Sequence, residues 1–350
     1  MSRSRGDPPP IPKAAPAEPA AESLDTVNRR ITIDVQLEDS SPASDLEELR
    51  RGLLDSPRRL PSKYFYDRRG SQLFERITEL PEYYLTRTER SLLEAVADHL
   101  CTTTGAEELV ELGAGAATKT RILLDAMART GRLRCYVPFD VSESAVRRVA
   151  TELATEYPGL EVHGMVADFT HHLKAIPPGE QRLVILLGST IGNYQTEEAV
   201  AFLGRVAQLM SPGDYFLLGA DLIKPVGRLE AAYNDSAGVT AEFNRNILQV
   251  VNRVAGGDFV PEAFRHQALY NQQQHRIELH LVAERQQRVR LSTLDLEIRL
   301  REGEEILTEI SSKYDRPMIK EMLERSGFRL AEWYTDPEEL FALALARKNS

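Results

Sequence analysis

The stretch Leu109-Val110-Glu111-Leu112-Gly113-Ala114-Gly115-Ala116-Ala117-Thr118-Lys119-Thr120 reads as a buried strand, a glycine-pinched turn and the start of a helix. Small residues at positions 113 to 115 let the backbone come close to a ligand. An acidic residue, Asp140, closes the next apolar run. A carboxylate there can accept from both hydroxyls of a ribose, so the unit suits a nucleoside. Two nucleoside cofactors fit, a nicotinamide dinucleotide and S-adenosylmethionine (SAM). The dinucleotide fingerprint needs a third small residue where Thr118 stands, and Glu111 suits a sulfonium cation better than a diphosphate. The residues favour SAM, while a lone Gly-x-Gly leaves a plain tight turn open as the alternative.

Outward from this turn the pattern alternates. Strands are predicted at 109–112, 134–139, 160–165, 182–187 and 214–220, and helices at 118–129, 142–156 and 196–210. Such alternation is that of a doubly wound α/β sheet. Pro138 removes a ladder hydrogen bond, so a bend or a strand end is expected there. Right-handed crossovers put the ligand crevice at the carboxyl ends of the strands, where Gly113, Asp140, Asp168 and Gly188 should converge.

Residues 225–312 break the alternation. Helical periodicity runs through 226–253, then Ile277, Leu279 and Leu281 alternate, as do Leu294, Leu296, Ile298 and Leu300. This reads as a smaller α+β unit inserted after a sheet strand. A helix from Pro317 to Ser326 and strands at 329–334 and 341–346 then complete the sheet. Ahead of the sheet, Ile31, Ile33 and Val35 form an extended run and Ser44 to Leu54 a helical one. Tyr64 to Phe74 suits an ordered loop near a ligand. Thr86 and Glu89 form a candidate capping box for the next helix. The first 25 residues, with a Ser-Arg repeat and Pro8-Pro9-Pro10, read as a disordered leader. The expected division is a leader at 1–25, a cofactor-binding domain at 26–224 plus 313–350, and a substrate-binding domain at 225–312.

A net charge of −10 over 350 residues argues against a nucleic-acid partner. Two cysteines, Cys101 and Cys135, imply no disulfide framework and fit a cytoplasmic protein. No apolar run is long enough to span a bilayer, so no membrane partner is expected. The His171-His172 pair has no partner at metal-ligand spacing, so no metal is expected. A monomer acting on a small molecule is the expectation.

Four further sites carry chemistry. Asp168-Phe169 closes the third strand and suits an adenine amino group and ring, or else caps a helix. Gly188-Ser189-Thr190-Ile191-Gly192-Asn193-Tyr194 follows the fourth strand, where Asn193 can bond an amine or a carboxylate. Lys119 opposes the helix dipole and reads either as the partner of a cofactor carboxylate or as a snorkelling lysine. Glu309 and Ser311 share one strand face, where they grip a polar ring or meet solvent.

Several segments in order carry a resemblance. They are Tyr64-Phe65-Tyr66-Asp67, Leu80-Pro81-Glu82-Tyr83-Tyr84, Glu111-Leu112-Gly113-Ala114-Gly115, Gly188-Ser189-Thr190-Ile191-Gly192-Asn193, Phe243-Asn244-Arg245-Asn246 and Thr308-Glu309-Ile310-Ser311. Over residues 60 to 346 the chain resembles the histidine-specific, SAM-dependent methyltransferases of ergothioneine biosynthesis, which trimethylate the α-amine of L-histidine to hercynine. The resemblance implies a Rossmann-like class I methyltransferase sheet with an inserted substrate-binding domain. It implies SAM contacts at Gly113, Lys119, Asp140, Asp168 and Phe169. It implies that Tyr83, Asn193 and Tyr233 hold the amino-acid head, and that Glu309 and Ser311 read the imidazole. Tyr66 and Asn193 become the candidate catalytic groups, with Tyr66 and Gly188 as secondary contacts. One position departs: Leu279 stands where the histidine-specific members carry methionine, which leaves another amino acid such as tryptophan as an alternative acceptor. A SAM-binding module without turnover is the alternative of a different class.

Overall fold

All five residues of Glu108–Leu112 are buried, as a strand covered on both faces requires. A computed structural model describes residues 24–36, 42–168 and 171–349. Its strands are β1 (Ile31–Val35), β2 (Arg58–Arg59), β3 (Glu108–Leu112), β4 (Cys135–Asp140), β5 (Glu161–Val166), β6 (Arg182–Leu186) and β7 (Tyr215–Asp221). There follow β8 (Phe264–Asn271), β9 (Arg276–Ala283), β10 (Gln287–Leu291), β11 (Leu296–Leu300), β12 (Glu305–Ser312), β13 (Phe328–Thr335) and β14 (Phe341–Lys348). The helices are α1 (Leu24–Asn28), α2 (Pro42–Leu54), α3 (Arg68–Thr78), α4 (Leu85–Thr104) and α5 (Thr120–Arg129). They continue with α6 (Glu143–Glu156), α7 (Thr196–Gln208), α8 (Val226–Tyr233), α9 (Val239–Ala255) and α10 (Arg316–Arg325).

Eight strands form one sheet in the order β1-β5-β4-β3-β6-β7-β14-β13. The first six run parallel, and β14 and β13 add on antiparallel. Side chains alternate along each strand, and that alternation makes two cores. Leu109, Tyr136, Leu183 and Leu217 pack with Leu93, Leu123 and Val149 from α4, α5 and α6. Their neighbours Val110, Val137, Val184 and Phe216 pack on the other face with Phe202 of α7 and Ile319 of α10. The chain reverses direction across the sheet between β3 and β6. The turns after β3, β4, β5 and β6 therefore leave one edge of the sheet beside a topological switch point.

A third core belongs to a four-stranded sheet of order β2-β12-β9-β8, to the β10–β11 hairpin, and to α8 and α9. Leu49, Leu53, Phe65 and Leu73 join it beside Phe243, Ile247, Leu279 and Ile306. Phe65 stacks on Phe243 at 4.6 Å. The division drawn from sequence put this leading stretch with the large sheet. Only α1 and β1 go there, α1 with Val27 in the core around α6 and β1 by pairing with β5. The reason is aromatic: the Tyr64–Phe74 side chains find their apolar partners on α9, a relation that local periodicity does not encode. Residues 1–23 of the expected leader lie outside the described residues, and Leu24 and Asp25 open α1.

Three local expectations are corrected. Pro138 does not end β4: the pairing with β3 is continuous through Glu111↔Pro138, while the ladder to β5 is interrupted between Tyr136↔Val162 and Phe139↔Met165. Proline has no N–H to offer that side. The 226–253 periodicity is two helices, because the Asp235 carboxylate accepts from the Val239 and Thr240 N–H groups and starts α9 afresh. Leu294 sits in a single turn, Ser292–Leu294, ahead of β11.

Candidate active site

The glycine turn is built as its sequence requires. Gly113 and Gly115 have φ of +85° and +51°, a region that disfavours side chains. A Cβ at Gly115 would meet nothing within 4 Å, so open space lies beside this backbone. Asp140, at the end of β4, closes the turn: its Oδ2 accepts from Gly115 N at 2.9 Å and its Oδ1 from Ser142 N at 2.9 Å. Each carboxylate oxygen keeps a lone pair, which fits the diol of a nucleoside. Positive-φ glycines, adjacent space and a half-buried carboxylate together fit the adenosine part of SAM.

Glu111 lies beneath the turn and is buried. Thr120 Oγ1 donates to its carboxylate at 2.6 Å, and the Tyr136 hydroxyl donates from β4. Burial pushes this carboxyl up to about 7, against the pull of those two hydrogen bonds and the Lys119 charge. Glu111 thus fastens the helix start to the sheet. Lys119 meets a carboxylate, but one from the protein: it is ion-paired with Glu89 of α4. Glu89 is fully buried and also accepts from Gly188 N at 2.7 Å. It is therefore no helix cap; α4 starts at Leu85 without a side-chain cap, and the expected Thr86–Glu89 box is absent. Gly188, φ +72°, is tied to Lys119 through this one carboxylate.

Asp168 ends the β5 segment, where its main-chain carbonyl accepts from the His171 and His172 N–H groups. Phe169 lies outside the described residues. The loop after β6 makes a 3-10 turn at Thr190–Asn193. It lies directly on β12, where a Cβ at Gly192 would sit 2.9 Å from the Ser312 carbonyl. That contact brings Asn193 beside the smaller sheet. The Asn193 amide has no hydrogen-bond partner among the described residues.

The smaller unit supplies a cluster of aromatic rings. Tyr83 meets Tyr233 edge-on at 6.1 Å and Phe74 at 6.3 Å. Tyr66 meets Phe74 at 5.8 Å and Phe243 at 6.0 Å, and keeps 44% of its surface exposed. Burial holds the phenols of Tyr83 and Tyr233 above their ordinary range, and enclosure of part of the more exposed Tyr66 raises its phenol too. The Glu309 charge adds to this at Tyr66 and Tyr83. Glu309 pairs across the β9–β12 ladder with Leu279, which is buried. Its carboxylate has no hydrogen-bond partner among the described residues. Burial pushes it up to about 7, with the Lys313 charge opposing. Ser311, two residues on, lies 2.9 Å from the Tyr233 hydroxyl.

The structure thus gathers Tyr66, Tyr83, Tyr233, Leu279, Glu309 and Ser311 in one unit. It sets Gly113, Lys119, Asp140, Asp168, Gly188 and Asn193 at the sheet edge. Sequence reasoning missed Glu89, Asp221 and Lys313. Lys313 and Asp221 form an ion pair at 2.9 Å with both side chains wholly buried. Glu89 had a readable signal, a carboxylate within the apolar stripe of Leu85, Leu92 and Leu93. Lys313 continues the Glu309–Ser311 alternation by one step. Among the described residues no helix is long and apolar enough to cross a membrane, and no His/Cys/Asp/Glu group could hold a metal.

The chain is similar to several known proteins. The chain is 46% identical to the "Histidine N-alpha-methyltransferase" of Mycolicibacterium smegmatis, over 88% of this chain and 96% of that one. It is 45% identical to the protein of the same name from Mycobacterium tuberculosis, over 89% and 97%. The "Ergothioneine biosynthesis protein 1" of Neurospora crassa is 35% identical over 62% of this chain and 27% of its own length. Residues 45–348 match the family described as "Histidine-specific methyltransferase, SAM-dependent", and the chain belongs to that family.

Proposed function

We propose that the chain transfers methyl groups from SAM to the α-amino nitrogen of L-histidine, up to the trimethylated betaine hercynine, in ergothioneine biosynthesis. The observation that carries the acceptor is Glu309. A carboxylate half-buried near Tyr66 and Tyr83, with no hydrogen-bond partner among the described residues and pushed up to about 7 by burial, suits a ligand ring that donates an N–H. Ser311 beside it offers a hydroxyl to the other ring nitrogen. The names of the mycobacterial relatives support the same acceptor.

SAM supplies an electrophilic methyl group, so the protein's contribution is orientation. Gly113, Gly115 and Asp140 hold the nucleoside, Asp168 and Phe169 the base. Lys119 and Gly188, linked through Glu89, line the approach to the acceptor. Asn193, with both donor and acceptor in its amide, holds the amino-acid head with Tyr83 and Tyr233. Tyr66, Tyr83 and Tyr233 stay protonated, so they position the amine and do not take its proton, which leaves to solvent. Partners that can turn about a bond, such as Asn193 and phenol hydroxyls, tolerate an amine that gains methyls in steps. The reading places a monomer in the cytoplasm, with no metal and no nucleic-acid partner.

The test is mass spectrometry of L-histidine incubated with the chain and SAM. Mono-, di- and trimethylated products are expected. No methylated histidine, with product on tryptophan instead, would transfer the reading to another amino acid; SAM binding with no product on any amino acid would leave a binding module.

A further inference from the structure

We propose that Lys313, fixed by Asp221, is a positioning residue for the acceptor pocket: it sets the proton polarity of the Tyr233–Ser311 hydroxyl pair, so that one hydroxyl donor of the pair is offered to the bound amino acid. The inference rests on the function proposed above.

The argument is a count of protons. A lysine ammonium has three donors and no acceptor. Lys313 spends all three: on Asp221 Oδ2 at 2.9 Å, on the Tyr233 hydroxyl at 2.8 Å and on Ser311 Oγ at 2.8 Å. Both hydroxyl oxygens are therefore acceptors toward Lys313. The two hydroxyls are also 2.9 Å from each other, and that bond uses one of their two protons. One proton remains to point at a ligand. Without the lysine, both hydroxyls could turn toward each other or toward the ligand, and the pair would present no fixed pattern. The ammonium also lies 4.6 Å above the Tyr233 ring centroid, which restrains that ring.

Asp221 fixes the lysine in turn. Its carboxylate accepts from Tyr84 OH at 2.9 Å and from Lys224 at 2.6 Å, and its own N–H donates to Ser189 Oγ at 3.0 Å. Ser189 adjoins Gly188, the residue tied to Lys119 through Glu89. The acceptor hydroxyls and the cofactor-side loop thus meet at one residue, the first through the Asp221 carboxylate and Lys313, the second through the Asp221 main-chain N–H. The Tyr233 main chain is held separately, its carbonyl lying 2.9 Å from His266 Nε2. A buried ion pair is weak evidence for stability alone. This one ends on two hydroxyls of the proposed acceptor site, and there it has a use.

The test compares Lys313→Met with the natural chain, as full-length proteins. The histidine KM is expected to rise roughly tenfold or more, as loss of a charged hydrogen-bond anchor implies. The Kd for SAM, by calorimetry, should stay within roughly twofold. In a Tyr233→Phe background the same substitution should cost much less, because its route to the substrate is gone. An unchanged histidine KM, equal losses for both ligands, or full additivity with Tyr233→Phe overturns the proposal. Should Lys313→Met fail to fold, Lys313→Gln replaces a pure donor by an amide that also accepts; a folded Lys313→Gln chain with the natural histidine KM overturns it equally. A natural chain that binds no histidine would defeat the functional reading, whereas natural binding left intact by these variants defeats only this inference.

Discussion

Glu89 accepts the Gly188 N–H at 2.7 Å while its carboxylate is ion-paired with Lys119, so one buried side chain joins the turn after β6 to the helix start after β3. Glu89 is fully buried, and the Lys119 side chain keeps 20% of its surface exposed. Glu89→Gln keeps the shape and removes the charge. Breaking such a pair strands a cation and forces an amide N–H toward Lys119 or Gly188, at a cost of about 1–3 kcal/mol once solvent at Lys119 is allowed for. The variant should melt lower than the natural chain and bind SAM more weakly, since both tethered loops are proposed to border the cofactor. Calorimetric titration with SAM and a thermal scan check this. Natural SAM affinity in a folded Glu89→Gln chain would remove Glu89 from the site.

Asp140 has two tasks, and Asp140→Ala removes both. Its oxygens hold the Gly115 and Ser142 N–H groups, and they are the groups proposed to take the ribose hydroxyls. SAM affinity should fall roughly tenfold or more, the scale of one or two lost hydrogen bonds to a charged group. Histidine affinity should fall far less, because the acceptor pocket lies on other elements. Calorimetry with each ligand separates the two, and an unchanged SAM affinity would sink the ribose assignment.

Most of the large sheet is legible in the chain because each strand there is short, apolar and bounded by turn residues. The strand predicted at 182–187 is β6 at Arg182–Leu186, and that at 214–220 is β7 at Tyr215–Asp221. The placing of Gly113, Asp140, Asp168 and Gly188 at one end of the sheet was legible for the same reason, since such turns follow strand ends by rule. What was not legible depends on contacts between distant segments. Phe65 stacks on Phe243, and Lys313 reaches Asp221, across separations that leave no periodic trace. Glu89 was masked by a plausible local role, a capping box that the chain does not make. Glu309 and Ser311 owed their sequence reading to the resemblance, since strand alternation alone left them as a face that could meet solvent; their nearness to Tyr233, about eighty residues away, leaves no periodic trace.

Glu309 should cost the fold stability at neutral pH. Its carboxyl stands at about 7 in the folded chain, above its ordinary 4.5, because burial penalises the charged form. The folded chain therefore binds this proton more tightly than the unfolded chain does. The stabilising contribution is whole below about 4.5 and is lost as pH rises through about 7. Glu309→Gln cannot ionise, so it should melt higher than the natural chain at pH 8, by about 1–2 kcal/mol after allowance for partial exposure. The gap should close towards pH 4.5. The same variant should lose histidine affinity much more than SAM affinity. Melting curves across pH and two titrations test both halves; a variant no more stable at pH 8 would mean that the carboxyl is better solvated than its surroundings indicate.

Leu279 is the position at which side-chain choice should tune acceptor preference. It is buried, and β9 holds it directly across from Glu309 of β12, so its side chain shares the face from which Glu309 is proposed to meet the ligand ring. Leucine and methionine have similar volumes, so Leu279→Met should change stability by less than about 1.5 kcal/mol. The thioether adds a soft contact to an aromatic ring worth about 0.3–1.5 kcal/mol, and it reaches further than the branched leucine. The variant should therefore favour histidine over tryptophan by roughly twofold to tenfold relative to the natural chain. A competition assay with both amino acids and SAM, read by mass of the methylated products, measures that ratio. If it does not move, position 279 only fills space beneath the ring, and selectivity rests with Glu309 and Ser311.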